Sequence, residues 1–304
     1  MSRQEDSAAV RKILTERGPL LGKELATALP GLTHLALWQA CFSDDDIQIS
    51  HFASYYLRYD IQRADQVRLS PSVLRDFLSF TLMSLAGQRG AVIDRQIQLS
   101  NYHRTVSQSK IQIARTIMTD VMGNLTQQEK GTMCAFIAGD NAYFLGHEEP
   151  RRIEQTGQTV SGSDIDIIIV HDGLSDESVA MIERTILQAK AFYLRSPRFN
   201  QEVDFIVKSV DKMFDQFAYS NIHEKIASKI AYESMLIAGS VQLYSGIVEG
   251  LETSGVKQLI EEDFERARAL RQTAMRTLLH ADPDLLDENT ESLFFFSRER
   301  LEFQ

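Results

Sequence analysis

Apolar positions recur with helical spacing over residues 6–17, where Ala9, Ile13 and Leu14 share a face, until Gly18-Pro19 breaks the pattern. Leu25 and Leu29 mark a second short helix ended by Pro30-Gly31, and Thr33 is placed to cap a third, HLALWQACF, which stops at Ser43 and the acidic trio Asp44–Asp46. Two β-like runs follow, IQIS and SYYLRYD. From 71 to about 125 the spacing is helical again. Pro71 suits a helix start, Leu74, Phe77, Leu78 and Thr81 recur on one face, a polar gap falls at Gly87–Gly90, and 104–123 carries Ile111, Ile113, Ile117 and Met118. After Gly131 the texture changes. MCAFIA, IDIIIV (165–170) and EVDFIVKSV read as strands, with a loop over about 146–161, a helix over 176–192 and a turn at Pro197. The chain from 221 reads as helical through EKIASKIAYESMLIAGSVQLY and a charged segment at 257–280. The aromatic end, SLFFFSRERLEFQ, is expected to dock on the body of the protein or on a partner subunit, and a homo-oligomer is one such arrangement. The fold class expected is α+β.

Three short helices followed by two strands is the order of a winged helix, so residues 1–100 are expected to form a winged-helix-like and helical region. Charge bears on what such a region does. Residues 1–63 hold seven basic groups (Arg3, Arg11, Lys12, Arg17, Lys23, Arg58, Arg63) against eight acidic ones (Glu5, Asp6, Glu16, Glu24, Asp44, Asp45, Asp46, Asp60). The third helix has no Lys or Arg to reach phosphates or base edges. Contact with protein, or packing on its own chain, is favoured over DNA.

Composition narrows the classes further. The 304 residues are 43% hydrophobic and carry 42 acidic and 32 basic side chains, a net charge of −10, which argues against a general polyanion binder. At about 150 residues per domain the length suggests two domains. Cys41 and Cys134, each in an apolar stretch, build neither a disulfide framework nor a Cys-rich zinc site and read as core residues. The N-terminus lacks a signal peptide's apolar stretch and no run of about 18 apolar residues exists, so a cytoplasmic protein without a membrane span is expected.

The chemistry lies in three acids. Asp164 and Asp166 flank Ile165 in GSDIDIIIV, and on a strand residues i and i+2 project from one face. Asp204 opens a later strand, QEVDFIV. If the two strands are neighbours, three carboxylates converge. Like charges so close raise one another's pKa, and divalent cations relieve the repulsion; hard oxygen ligands suit Mg²⁺ or Mn²⁺. The plain alternative is three solvated carboxylates at strand ends, which discourage edge pairing.

FIAG (136–139), SDIDIIIV (163–170) and VDFIV (203–207) together resemble the nucleotidyltransferases of the DNA polymerase β superfamily, over roughly residues 110–250. The resemblance implies a nucleotidyltransferase domain with a C-terminal helical part over 101–304. It implies transfer of a nucleoside monophosphate from a nucleoside triphosphate, such as ATP, to an acceptor hydroxyl, with pyrophosphate released. Asp164 and Asp166 would hold the metals, and Asp204 would complete the metal site and serve the acceptor hydroxyl. Gly139, Asp140, Asn141 and Ser163 fall where triphosphate would bind. Lys225 and Lys229, four apart on one helix face, are candidates to meet it.

Two departures stand out. The family's Gly-Ser turn is Gly139-Asp140 here, and the interval from 140 to 164 is longer than the ten-odd residues usual in the family. Three readings follow: Asp140 caps the next helix while Asn141 or backbone grips phosphate; Thr156, Thr159 and Ser161 supply the hydroxyls; or triphosphate binding is degraded and the chain is a nucleotide-sensing regulator. Arg151, Arg152, His147, His171 and Glu233 are weaker candidates. Glu233 is spaced to pair with Lys229 or to help shape a base pocket. The acceptor class stays open between a protein, a tRNA end, a small molecule such as an aminoglycoside, and a second nucleotide.

Overall fold

A computed structural model describes residues 3–60, 66–153, 156–285, 287–296 and 299. The chain is mixed α+β. In chain order its elements are α1 (Arg3–Arg17), β1 (Leu20–Leu21), α2 (Gly22–Ala28), α3 (His34–Phe42), β2 (Ile47–His51), β3 (Tyr56–Asp60), β4 (Gln66–Ser70) and α4 (Val73–Arg75), then β5 (Thr81–Leu85) and the long α5 (Arg89–Gly123). There follow α6 (Gln127–Gly131), β6 (Met133–Ile137), β7 (Pro150–Arg152), β8 (Thr159–Ser161), β9 (Ile165–His171), α7 (Asp176–Arg195), β10 (Val203–Ser209) and α8 (Val210–Asp215). The chain continues through α9 (Ile222–Tyr232), β11 (Met235–Gly239), α10 (Val241–Thr253), α11 (Val256–His280) and α12 (Glu288–Phe294). Among the described residues no helix is long and apolar enough to cross a membrane.

Two compact units result. Unit 1 comprises Met1–Arg58, Val67–Tyr102 and Phe264–Gln304; unit 2 comprises Tyr59–Gln66 and His103–Asp263. The described residues from Phe264 onward therefore group with the N-terminal region.

In unit 1, helices α1–α3 surround Trp38, which stacks on Phe42 at 4.8 Å and meets Phe294 edge-on at 6.1 Å. Thr33 caps α3 as expected, its Oγ1 accepting from the Ala36 N–H at 3.1 Å. The runs IQIS and SYYLRYD do not pair with each other. β2 pairs antiparallel with β5, which also takes β1, giving the order β1-β5-β2, while β3 pairs with β4. This corrects the expected continuous helix from 71. Only Val73–Arg75 is α-helical; Asp76–Phe80 widens into a π-helical turn and Thr81–Leu85 is a strand. β5 is buried on both faces apart from Leu85, so it shows no alternation, and helical spacing and a buried strand look alike over so short a run. The helix expected over 104–123 is also longer, beginning at Arg89.

No residue of α3 is fully exposed, and Gln39 donates from Nε2 to the carbonyls of Leu278 at 2.7 Å and Ala281 at 2.8 Å. The side that a DNA-reading helix would present is thus packed against its own unit. The aromatic end docks there too: Phe294 and Phe296 are buried, and the Arg58 and Arg68 guanidinium groups lie 4.3 and 4.4 Å from the Phe296 ring centre. The rest of that segment, Ser297, Arg298, Arg300 and 301–304, lies outside the described residues.

Unit 2 is built on a four-stranded sheet in the order β10-β9-β6-β11. β10 and β9 run parallel; β6 is antiparallel to both β9 and β11. Ile165, Ile167 and Ile169 point to one face and pack with Ile111, Ala114, Ile117, Met118 and Val121 of α5 and with Ile182 and Ile186 of α7. Each such side chain contributes roughly 1.5–3 kcal/mol on full burial. This face anchors β9, so the intervening residues of the strand are directed to the other side.

The helix expected to run on from 221 is interrupted by β11. Glu233 caps the end of α9, and the following Met-Leu-Ile-Ala-Gly run pairs with β6 instead. Gly239 makes the pairing possible: it has φ +89°, and a Cβ there would come within 2.4 Å of the Met133 carbonyl oxygen.

Candidate metal centre

Asp204 lies directly opposite Asp166 in the parallel β10–β9 pair, and Asp164 precedes β9 by one residue. One carboxylate oxygen from each of Asp164, Asp166 and Asp204 falls within 4.8 Å of the others, and all three residues are half-buried. The predicted convergence is therefore present. Burial, then the charges of Asp164 and Asp204, hold the Asp166 carboxyl well above the ordinary carboxylate range, against the opposing charge of Lys229. Negative charge is in excess at Asp166, and a bound dication is the direct way to relieve it. Three hard oxygen donors at this spacing fit Mg²⁺ or Mn²⁺.

The Gly139–Asn141 turn follows β6 and is a single 3₁₀ turn. Gly139 has φ +68°, and a Cβ added to it would lie 3.4 Å from Asp166 Oδ2, so the turn passes close to the trio. Its polar groups are largely engaged. The Gly139 N–H donates to Glu233 Oε1 at 3.0 Å, and the Asn141 amide donates to the Asp164 carbonyl at 2.7 Å. Ser163 Oγ donates to Asp140 Oδ2 at 2.9 Å. Asp140 is thus tied to the residue before Asp164. The Asn141 side-chain oxygen is buried with no hydrogen-bond partner.

Lys229 reaches the centre and Lys225 does not. Lys229 Nζ donates to Glu233 Oε1 at 2.7 Å and its charge acts on Asp166. Lys225 Nζ sits 5.4 Å from the centre of the Tyr219 ring, one turn earlier on α9. Glu233 pairs with Lys229 as its spacing suggested; its side chain is 1% exposed and burial raises its pKa. Of the candidate hydroxyls, Thr156 and Thr159 are exposed in and beside the β7–β8 hairpin, and Ser161 is half-buried. His147 is buried, and its backbone N–H faces Ser163 Oγ at 3.4 Å.

Three cations around the trio carried weak or no sequence signal. Arg151 on β7 donates to the Gly162 carbonyl at 2.8 Å and to Glu202 at 2.5 Å, and lies 3.7 Å from Asp164 Oδ2. Lys190 on α7 donates to Asp204 Oδ1 at 2.5 Å. Lys110 on α5 donates to the carbonyls of Ser161 at 3.0 Å and Ser163 at 2.7 Å and to Gln201 Oε1, and burial pushes its pKa down to about 8. Arg152, the other loop arginine, is exposed. Only Lys110 sits in a periodic segment where a polar residue among Ile111 and Ala114 hints at an inward-facing charge.

Both cysteines are buried and unbridged, and burial pushes the Cys134 thiol up to about 12, consistent with core roles. Comparisons with protein-family models, with curated proteins and with solved structures gave no match to this chain.

Proposed function

We propose that the protein is a metal-dependent nucleotidyltransferase. The observation that carries this reading is the convergence of Asp164, Asp166 and Asp204 from two adjacent parallel strands to within 4.8 Å. The resemblance of FIAG, SDIDIIIV and VDFIV to the DNA polymerase β superfamily supports the assignment of that cluster to nucleotidyl transfer. Divalent ions held by the trio would neutralise phosphate charge and polarise the α-phosphate. In the reaction an acceptor oxygen bonds to the α-phosphorus, the bond from that phosphorus to the bridging oxygen of the β-phosphate breaks, and pyrophosphate leaves. The acceptor proton passes to Asp204, through the carboxylate oxygen that the metal would leave free. Lys229 and Arg151 bring positive charge to a site that must accept a polyanion. Catalysis is then mainly positioning and charge neutralisation.

The packed face of α3 and the absence of Lys and Arg from it favour protein contact over DNA for the winged-helix-like region. A second reading, a nucleotide sensor without turnover, is favoured by one observation: the Gly139 N–H and the Asp140 and Asn141 side chains are engaged within the protein. Calorimetry with a non-hydrolysable triphosphate, run beside a pyrophosphate assay, separates the two. Binding with pyrophosphate release supports the transferase; binding without release under Mg²⁺ and Mn²⁺, across an acceptor panel of protein, tRNA, aminoglycoside and nucleotide, supports the sensor.

A further inference from the structure

Four cations face the carboxylate trio, and they are held differently. Arg151 is fixed by the Gly162 carbonyl and Glu202, Lys229 by Glu233, and Lys110 by two carbonyls and Gln201. Lys190 donates directly to a member of the trio, Asp204, while Arg151 lies 3.7 Å from Asp164 Oδ2. Its side chain is 33% exposed and that of Asp204 46%, so the pair lies at the open rim of the centre, where ion pairs are weak and readily exchanged.

We propose that Lys190 is a built-in counter-cation of this centre: its ammonium holds Asp204 until a divalent ion binds, then yields the carboxylate and takes a phosphate oxygen of the substrate. The inference rests on reading the trio as a cation site. The geometry requires competition. Lys190 Nζ is 2.5 Å from Asp204 Oδ1. A dication on either oxygen of that carboxylate, at about 2.1 Å, would then lie within roughly 7 Å of the ammonium if Lys190 did not move. At that separation a +1/+2 repulsion lowers metal affinity about sevenfold even at the dielectric of bulk water, and more at the lower dielectric of a half-buried site. The four-carbon stem, from the last turns of α7, lets the ammonium swing clear without unfolding the helix. Once freed, it is a cation beside a metal-bound carboxylate, at the point where phosphate charge arrives. The apoprotein thus keeps Asp204 neutralised, and the ammonium that performs this task becomes a substrate contact when metal replaces it.

The test uses the full chain, Mn²⁺ alone and then inorganic triphosphate, which carries no base or sugar. Mn²⁺ affinity is read by electron paramagnetic resonance, and triphosphate affinity for the Mn²⁺-loaded protein by calorimetry, in wild type, Lys190→Met, Lys190→Gln and Lys190→Arg. The expected result has opposite signs. In Lys190→Met and Lys190→Gln, Mn²⁺ binds at least about fivefold tighter, while triphosphate binds several-fold more weakly; Lys190→Arg stays near wild type on both. A residue of merely structural value would weaken both affinities on removal. Mn²⁺ affinity unchanged or weakened in both neutral variants overturns the proposal while leaving the cation site standing, as does unchanged triphosphate affinity. No Mn²⁺ binding by any of the four proteins, each shown folded by its melting transition, removes the cation-site reading and this inference with it.

Discussion

Asp166→Asn should stabilise the metal-free protein while abolishing its affinity for metal. The substitution keeps the shape of the side chain and removes one charge. Asp166 is surrounded by Asp164 and Asp204, with ligand oxygens within 4.8 Å, and burial is the largest cause of its raised pKa. At that distance and an effective dielectric near 20, each like-charge pair is unfavourable by about 3 kcal/mol, an upper scale because Lys229 offsets part of it. A net gain of about 1–3 kcal/mol for Asp166→Asn at pH 7 is expected. The sign follows from linkage. A carboxyl whose folded pKa is raised favours folding below its unfolded pKa near 3.8 and loses that contribution as pH climbs toward the folded value. The advantage of the variant should therefore be large at pH 7 and shrink toward pH 4. Urea unfolding in EDTA at several pH values measures it, and Mn²⁺ should raise the wild-type midpoint but not the variant's. A variant no more stable than wild type in EDTA, or an advantage that grows on acidification, would refute the reasoning.

Two further substitutions probe the frame around the trio. Gly162→Ala should prevent stable folding of unit 2, because Gly162 has φ +65° and a Cβ would fall 1.6 Å from the His147 carbonyl oxygen; a soluble, cooperatively melting variant within about 1 kcal/mol of wild type contradicts the described turn. For Lys110, the folded pKa near 8 lies below the ordinary lysine value of 10.5, so between those values the unfolded chain binds more protons and the wild type gains stability as pH rises. Relative to Lys110→Met, that gain should approach about 2–3 kcal/mol between pH 8 and 10, read from paired urea melts; a pH-independent difference contradicts it.

The parts of the centre were unequally legible in the sequence. Asp166 and Asp204 sit on strands, and Asp164 just before one, whose continuous apolar runs announce them, and the period of two fixes which residues share a face. β6, β9, α7 and β10 follow from the same signals. β5 and β11 look helical in the sequence because five-residue apolar runs buried or half-buried on both faces have no period of two to show; their pairing partners, β2 and β6, lie far away in sequence. Lys190 was beyond reach, and Arg151 only a weak candidate, for another reason. A lysine in a charged helix and an arginine in a polar loop look like surface residues until the fold brings them to Asp204 and Glu202. The engagement of the Gly139–Asn141 turn is equally non-local: Asp140 suggested a departure from phosphate binding, but Glu233, 94 residues on, takes the Gly139 N–H.

The central claim is nucleotidyl transfer through the three carboxylates. Its most direct test incubates the protein with each of the four ribonucleoside triphosphates, labelled at the α-phosphate, in a crude lysate with Mg²⁺ or Mn²⁺. Wild type should move label from at least one nucleotide onto an acceptor with one pyrophosphate released per label transferred, and Asp164→Asn and Asp166→Asn should each lower that rate by at least about a hundredfold. Label transfer undiminished in both variants, or no transfer from any nucleotide by a protein that binds Mn²⁺ and melts cooperatively, would contradict it.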